Sequence, residues 1–202
     1  MKVIGLTGQS GAGKTTVGKI FADAGFAVIN ADKIAREVMR KGESCLAETI
    51  AAFGEEYLLP DGELDRKRLA ETVFSDRKKL DLLESITYPH INKKVNLLIE
   101  KFRAEGFGYV LLDAPTLFEA GEDKICDEII AVISDEKTRI ERIIYRDGIS
   151  VKQASDRFAN QHDIEFFKTH ADYIIENSGT RSALEERTKA IIGTITERLR
   201  NE

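Results

Sequence analysis

Residues Gly8 to Thr16 read GQSGAGKTT, directly behind the apolar opening MKVIGLT of Met1–Thr7. They match G-x-x-x-x-G-K-[ST], a loop whose backbone N–H groups and lysine cradle nucleotide phosphates. The context that the motif requires is present on both sides. Val3–Thr7 reads as a buried strand, and Lys14 to about Ala24 reads as a helix closed by Gly25. Glycines 8, 11 and 13 let backbone N–H groups turn inward, and the following helix adds the positive end of its dipole. The stretch therefore assigns Gly8, Ser10, Gly11, Ala12, Gly13, Lys14, Thr15 and Thr16 to triphosphate binding. Lys14 would hold the β- and γ-phosphates, and the Thr15 hydroxyl would ligate Mg²⁺. The loop names a phosphate donor and leaves the recipient open.

Four further apolar runs resemble the first: Phe26–Asn30, Tyr109–Asp113, Glu128–Ser134 and Tyr173–Glu176. They are near-continuous rather than alternating, which suits a parallel sheet covered on both faces. Helical patterns lie between them, so the fold class is α/β with a doubly wound, five-stranded parallel sheet. Ile91, Val95, Leu98 and Phe102 mark one amphipathic helix, ending near Gly106. Leu184, Thr188, Ile191, Ile195 and Leu199 mark the last. Another spans Glu136 to Arg146, with Asp135 as N-cap and Gly148 beyond its end. Ser150 and Gln153 form a capping box for one more. About eighty residues separate the second strand from the third, more than one crossover helix needs. They read as an inserted helical subdomain containing a turn at Leu59–Glu63, and Glu136 to Ala171 reads as a second, smaller insertion.

Composition narrows the classes. The 202 residues are 42% hydrophobic and 32% charged with a net charge of −5, the balance of a soluble globular chain. No basic block points to a nucleic-acid partner. No apolar run approaches the ~18 residues of a membrane span, and the opening run is too short for a signal-peptide core. Cys45 and Cys126 lie far apart, outside any C-x-x-C pattern, as expected of thiols in a reduced compartment. His90, His162 and His170 lack the spacing of a helical metal pair. The expectation is a cytoplasmic protein without nucleic-acid or membrane partners, a monomer or small homo-oligomer.

Several residues carry two readings each. Asp32, in VINAD at the end of the second strand, is either a catalytic base beside the γ-phosphate or the N-cap of the helix it opens. Asp113, in YVLLDAP, is a Mg²⁺-holding strand-end acid or a turn residue before Pro115. Arg139, Arg142 and Arg146 share one helical face, which is either solvated or part of a lid that supplies charge to the transferred group, with Arg157 nearby. Asn177, in the turn Asn177-Ser178-Gly179, is a candidate nucleotide contact, and Arg66, in GELDRKRLA, is an exposed arginine on spacing alone. The chain lacks N-K-x-D and D-x-x-G, so it does not read as a GTP-binding switch.

Taken in order, these motifs resemble the dephospho-coenzyme A kinase family along almost the whole chain. The opening IGLTGQSGAGKTTVGKIFADAGFAVINADKIAREV is similar to that family's start. GELDRKRLAETVF resembles its G-x-L-x-R-x-x-L-x-x-x-x-F element, and DAPTLFEAG its P-L-L-F-E segment. RIIYRD and RFANQ resemble lid elements, and ADYIIENSG resembles the closing A-D-x-x-I-x-N-x-G. The resemblance implies a P-loop kinase fold with a core at 1–31, 107–135 and 171–202. It further implies a helical acceptor-binding insertion at 32–106 and a lid at 136–170. The implied reaction transfers phosphate from ATP, with Mg²⁺, to the ribose 3′-hydroxyl of dephospho-coenzyme A.

On that reading Asp32, Lys14 and Arg142 are catalytic. Arg142, Arg146 and Asn177 join the ATP set, Asp32, Arg66, Arg157 and Gln161 contact the acceptor, and Thr15 and Asp113 serve the metal. Two departures stand out: Tyr88 precedes Pro89 where the family commonly has histidine, and Thr116 replaces the first leucine of P-L-L-F-E. The rival readings are another P-loop kinase acting on a nucleoside or nucleotide, and a non-catalytic nucleotide-binding regulator.

Overall fold

The opening strand β1 (Lys2–Gly8) is buried along nearly its whole length, because it takes the central place in the sheet. The computed structural model describes the chain apart from residues 152–154, 156–157, 159–160 and 201–202 and the side chains of 199–200. The other strands are β2 (Ala27–Asn30), β3 (Tyr109–Asp113), β4 (Glu128–Ile133) and β5 (Tyr173–Glu176). Their order is β2-β3-β1-β4-β5, all parallel. Register sets Lys2 opposite Tyr109, Ile4 opposite Glu128, and Ile130 opposite Tyr173. All five expected strands are present, each within a residue or so of the predicted bounds. Near-continuous apolar runs are what a sheet covered on both faces requires.

Eight α-helices are described: α1 (Lys14–Asp23), α2 (Ala31–Val38), α3 (Ser44–Phe53), α4 (Arg66–Phe74), α5 (Arg77–Ala104), α6 (Glu136–Asp147), α7 (Ile164–His170) and α8 (Arg181–Arg200). Among the described residues no helix is long and apolar enough to cross a membrane. The chain divides into two compact units, Met1–Ile29 with Phe102–Glu202, and Asn30–Lys101.

In the first unit, strand parity separates two cores. Ile4, Leu6, Leu111, Ile130, Val132 and Ile175 face Val17 and Phe21 of α1 and Leu184 and Ile195 of α8. Ala131 and Ile133 face the opposite way, onto Phe167 with Phe118 and Ile164. The apolar stripe expected on the last helix is real at Leu184, Thr188 and Ile195, while the Leu199 side chain lies outside the described residues. Asp135 caps α6 by accepting from the Thr138 N–H at 2.8 Å, and Gly148 ends it in the left-handed region. Both positions match expectation. Of the expected capping box after α6, Gln153 lies outside the described residues.

The second unit differs from expectation in one helix. The stretch marked by Ile91 to Phe102 is the second half of a longer helix, since α5 runs from Arg77 straight through Pro89. Proline lacks the N–H that would bond the carbonyl four residues back, at Ser85, a mid-helix cost of about 3 kcal/mol. Burial of Ile91, Val95 and Ile99 on one stripe offsets that cost. His90 is thus a mid-helix residue, and its Nε2 lies 3.1 Å from Glu48 Oε2.

One loop of the first unit hides a carboxyl. Glu122 opens the 3-10 turn Glu122–Ile125, is 2% exposed, and its Oε1 has no hydrogen-bond partner. Burial pushes its pKa from 4.5 up to about 7, and pushes the neighbouring Cys126 thiol up to about 12. A raised carboxyl pKa means that the folded protein prefers the protonated form. The stability so gained is complete below pH 4.5 and is lost as pH climbs through about 7. Glu122→Gln is therefore expected to flatten this dependence. Urea titrations between pH 4.5 and 8 should show wild type falling relative to the variant by on the order of 3 kcal/mol. Parallel curves would show that Glu122 ionises without penalty.

Candidate active site

The phosphate loop is shaped by two close approaches. Gly8 has φ +142°, and a Cβ there would lie 2.2 Å from the Val132 carbonyl oxygen of β4. Gly13 has φ +103°, and a Cβ there would meet the Asn177 amide nitrogen at 2.3 Å. Only glycine fits either place. Gly13 is also the N-cap of α1, and no side chain caps that helix. The start of this helix, with the positive end of its dipole, is thus suited to receive an anion.

Four charged or polar side chains converge there. Lys14 Nζ pairs with Asp113 Oδ1, and both side chains are largely buried. Asp113 closes β3 and is 7% exposed; a Cβ on Gly18 would lie 3.9 Å from its Oδ2, so the carboxylate rests against the first turns of α1. The ion pair with Lys14 separates Asp113 from an ordinary turn residue. From α6, Arg142 Nη1 approaches the carbonyls of Gly11 and Ala12 at 3.3 and 3.5 Å, and its Nη2 reaches Asn177 Oδ1 at 3.5 Å. Asn177 is buried and donates to the Ala12 carbonyl at 2.7 Å. Arg142 and Asn177, far apart in sequence, therefore flank one loop. Beside it, a cleft of about 860 Å³ is lined by Gly13, Thr16, Arg142, Asn177, Gly179 and Arg181 among others. That volume is in the range of small-molecule sites.

The other candidate residues divide. Thr15 is exposed at the start of α1, next to Lys14. Gln161 spends its amide on the loop: Oε1 accepts from the Ser10 N–H at 3.1 Å, and Nε2 donates to the Ser10 hydroxyl at 2.6 Å. Gln9 adds a bond to the His162 carbonyl at 3.3 Å. Arg146 is exposed and bonds its neighbour Asp147 through two nitrogens, at 2.7 and 2.9 Å. Arg157 lies outside the described residues. Arg139, expected on the same face as Arg142 and Arg146, is instead 5% exposed and stacks on Phe158, 4.0 Å from the ring centroid. Its burial lowers its pKa, opposed by Glu136 and Asp135.

In the helical unit, Asp32 is exposed in the first turn of α2. It is not the helix cap. Asn30 is, accepting from the Lys33 N–H at 2.8 Å. That removes the structural alternative for Asp32 raised by the sequence. Arg66 begins α4 and turns its Nη2 to the Arg36 carbonyl, 2.8 Å away near the end of α2.

Residues whose structural contacts the sequence did not single out are Gln9, which bonds the His162 carbonyl, and Asn30, the cap that frees Asp32 from that duty. Asn30 had a readable signal, since asparagine is a preferred cap. Gln9 had none.

Known proteins resemble this chain over almost its whole length. The family model described as dephospho-CoA kinase matches residues 2–183. A dephospho-CoA kinase of Geobacter sulfurreducens is 39% identical over 191 residues, 95% of this chain and 97% of its own. One from Oryza sativa subsp. japonica is 37% identical over 199 residues, 98% of this chain and 86% of its own. Among solved structures, the dephospho-CoA kinase of Campylobacter jejuni superposes with a TM-score of 0.72 at 28% identity, covering 98% of each chain.

Proposed function

Because this chain belongs to the dephospho-CoA kinase family, it is an ATP-dependent kinase of coenzyme A biosynthesis that phosphorylates dephospho-CoA, and we propose the following division of labour for its residues. The observation that carries it is the convergence of Lys14, Asp113, Arg142 and Asn177 on the uncapped start of α1. The acceptor is the ribose 3′-hydroxyl. Its oxygen bonds to the γ-phosphorus of ATP as the bond from that phosphorus to the ADP oxygen breaks, and its proton passes to the Asp32 carboxylate. Gly8 to Thr16 hold the phosphates through backbone N–H groups, and Lys14 follows the β- and γ-oxygens. Arg142 and Arg146 balance charge on the transferred group, and Asn177 borders the nucleotide. Arg66, Arg157 and Gln161 serve the acceptor.

Mg²⁺ fits the donors present. Among the described residues no three or more His, Cys, Asp or Glu side chains form a metal cage. Magnesium does not need one: it keeps several waters and takes one or two protein oxygens plus substrate phosphates. Thr15 and Asp113 would supply those oxygens. When bound, the ion would offset the negative charge of the phosphates. The segment 136–170 acts as a lid, the segment 32–106 as the acceptor domain, and the core is 1–31, 107–135 and 171–202. The enzyme is cytoplasmic, and a monomer or small homo-oligomer.

A coupled assay of ADP release tests the reading. Turnover with dephospho-CoA and none with nucleosides is expected; strong transfer to a nucleoside overturns the acceptor assignment. Within the site, Arg142→Ala is expected to lower kcat by about 10²–10³ while changing the KM for ATP by less. Equal loss in both would reduce Arg142 to a binding contact.

A further inference from the structure

In the helical unit three arginines gather at the end of α2, and only Arg66 among them has so far been given a role. Asp32 and Arg36 are four residues apart on α2, so they share one face, separated by about one turn of ~5.4 Å. Arg40 follows in the turn after the helix, its N–H bonded to the Glu37 carbonyl at 3.2 Å. Arg66 Nη2 is held by the Arg36 carbonyl at 2.8 Å and lies 3.5 Å from that of Met39, which ties a third guanidinium to the same helix end.

Two neighbouring acids have contacts of their own. Glu37 pairs with Lys94 at 2.8 Å, and Glu63 lies 3.4 Å from the Lys41 N–H. Among the described residues, no carboxylate lies within the 4.0 Å ion-pair distance of the Arg36, Arg40 or Arg66 guanidinium. Partial burial lowers the Arg66 pKa, and repulsion from Arg36 and then Arg40 adds to this against Glu63, so Arg66 lies within electrostatic reach of both. Like charges gathered without partners cost stability. Arginine forks so gathered match a phosphate-rich anion.

Resting on the reading of dephospho-CoA as acceptor, we propose that Arg36, Arg40 and Arg66 seat its diphosphate. The diphosphate and the 3′-hydroxyl hang from one ribose ring, a separation of the same order as the ~5.4 Å turn between Arg36 and Asp32. The face of α2 thus presents the diphosphate seat and the base in the order in which the acceptor presents its own two groups. Specificity follows: an adenosine without the diphosphate loses the arginines.

The test uses the full chain and calorimetric binding of dephospho-CoA and of adenosine, beside turnover with each. Both Arg36 and Arg40 side chains are exposed, so Arg36→Ala/Arg40→Ala is expected to keep the wild-type melting temperature. Its affinity for dephospho-CoA should fall by about 10- to 100-fold, and the preference for dephospho-CoA over adenosine should shrink by that factor. Raising the salt concentration should weaken wild type more than the variant. Arg36→Lys/Arg40→Lys should recover part of the loss. Unchanged dephospho-CoA affinity in the alanine variant overturns the proposal, as does an equal loss for adenosine, which would mark a general disturbance of α2. Failure of the functional reading looks different: a wild type that neither binds nor phosphorylates dephospho-CoA overturns both together.

Discussion

Asp32→Asn is expected to lower kcat for dephospho-CoA by about 10²–10⁴, the usual contribution of a general base, with KM for ATP near wild type. The structure makes this a clean experiment. Asn30 caps α2, so replacing Asp32 leaves the capping bond to Lys33 in place. The only local loss is the favourable placing of a carboxylate in the first helical turn, worth about 0.3–1 kcal/mol. Asparagine keeps the shape and removes the proton acceptor. Melting temperature should therefore barely move while turnover collapses. A variant within twofold of wild-type kcat would end the catalytic assignment, because the capping role is already taken by Asn30.

Lys14→Met should be the most damaging change in the phosphate loop. Loss of a preorganised charge on the transferred phosphoryl group is expected to cost about 10²–10³ in kcat/KM. A second effect comes from packing. Lys14 is the cation that faces Asp113, and the two side chains are only 14% and 9% exposed. Removing one partner of a buried pair costs about 3–5 kcal/mol, because the remaining charge stays out of water. Lys14→Met should thus lower stability as well as activity. Adding Asp113→Asn removes the stranded charge and should restore much of the stability without restoring turnover. If the double variant is as unstable as the single one, the pair is not what makes Lys14 structurally important.

The sheet was legible because its signal is local and continuous. Five apolar runs sit where a doubly covered parallel sheet needs them, and Asp135 and Gly148 bracket α6 because capping chemistry acts over three or four residues. What escaped the sequence depends on distance or on competition between adequate candidates. Asn30 and Asp32 are both good caps, and only the backbone shows which one does the work. Gln161 bonds Ser10 across 151 positions, which no spacing rule encodes. Pro89 is unfavourable inside a helix, yet burial of Ile91, Val95 and Ile99 carries α5 through it. Arg139 shares a helical spacing with Arg142 and Arg146, yet tertiary packing buries it. Arg142 and Asn177 reach the loop from distant segments and were named through family motifs, whereas the bond from Gln9 to the His162 carbonyl left no local signal.

The strand order has a consequence for how the chain is made. β1 is synthesised first but sits in the middle, and its partners β3 and β4 begin at Tyr109 and Glu128. At about 5–20 residues per second, the ribosome exposes β1 for roughly 5–20 s before either neighbour exists. Throughout that interval an apolar strand has both edges unpaired, the condition that favours association with other nascent chains. The intervening residues Asn30–Lys101 form a helical unit of their own, rich in local contacts that form early. Nucleotide binding comes later still, since Asn177 must arrive before the loop at Gly13 is braced. The segment that announces the enzyme in its sequence is among the last parts of it to become functional.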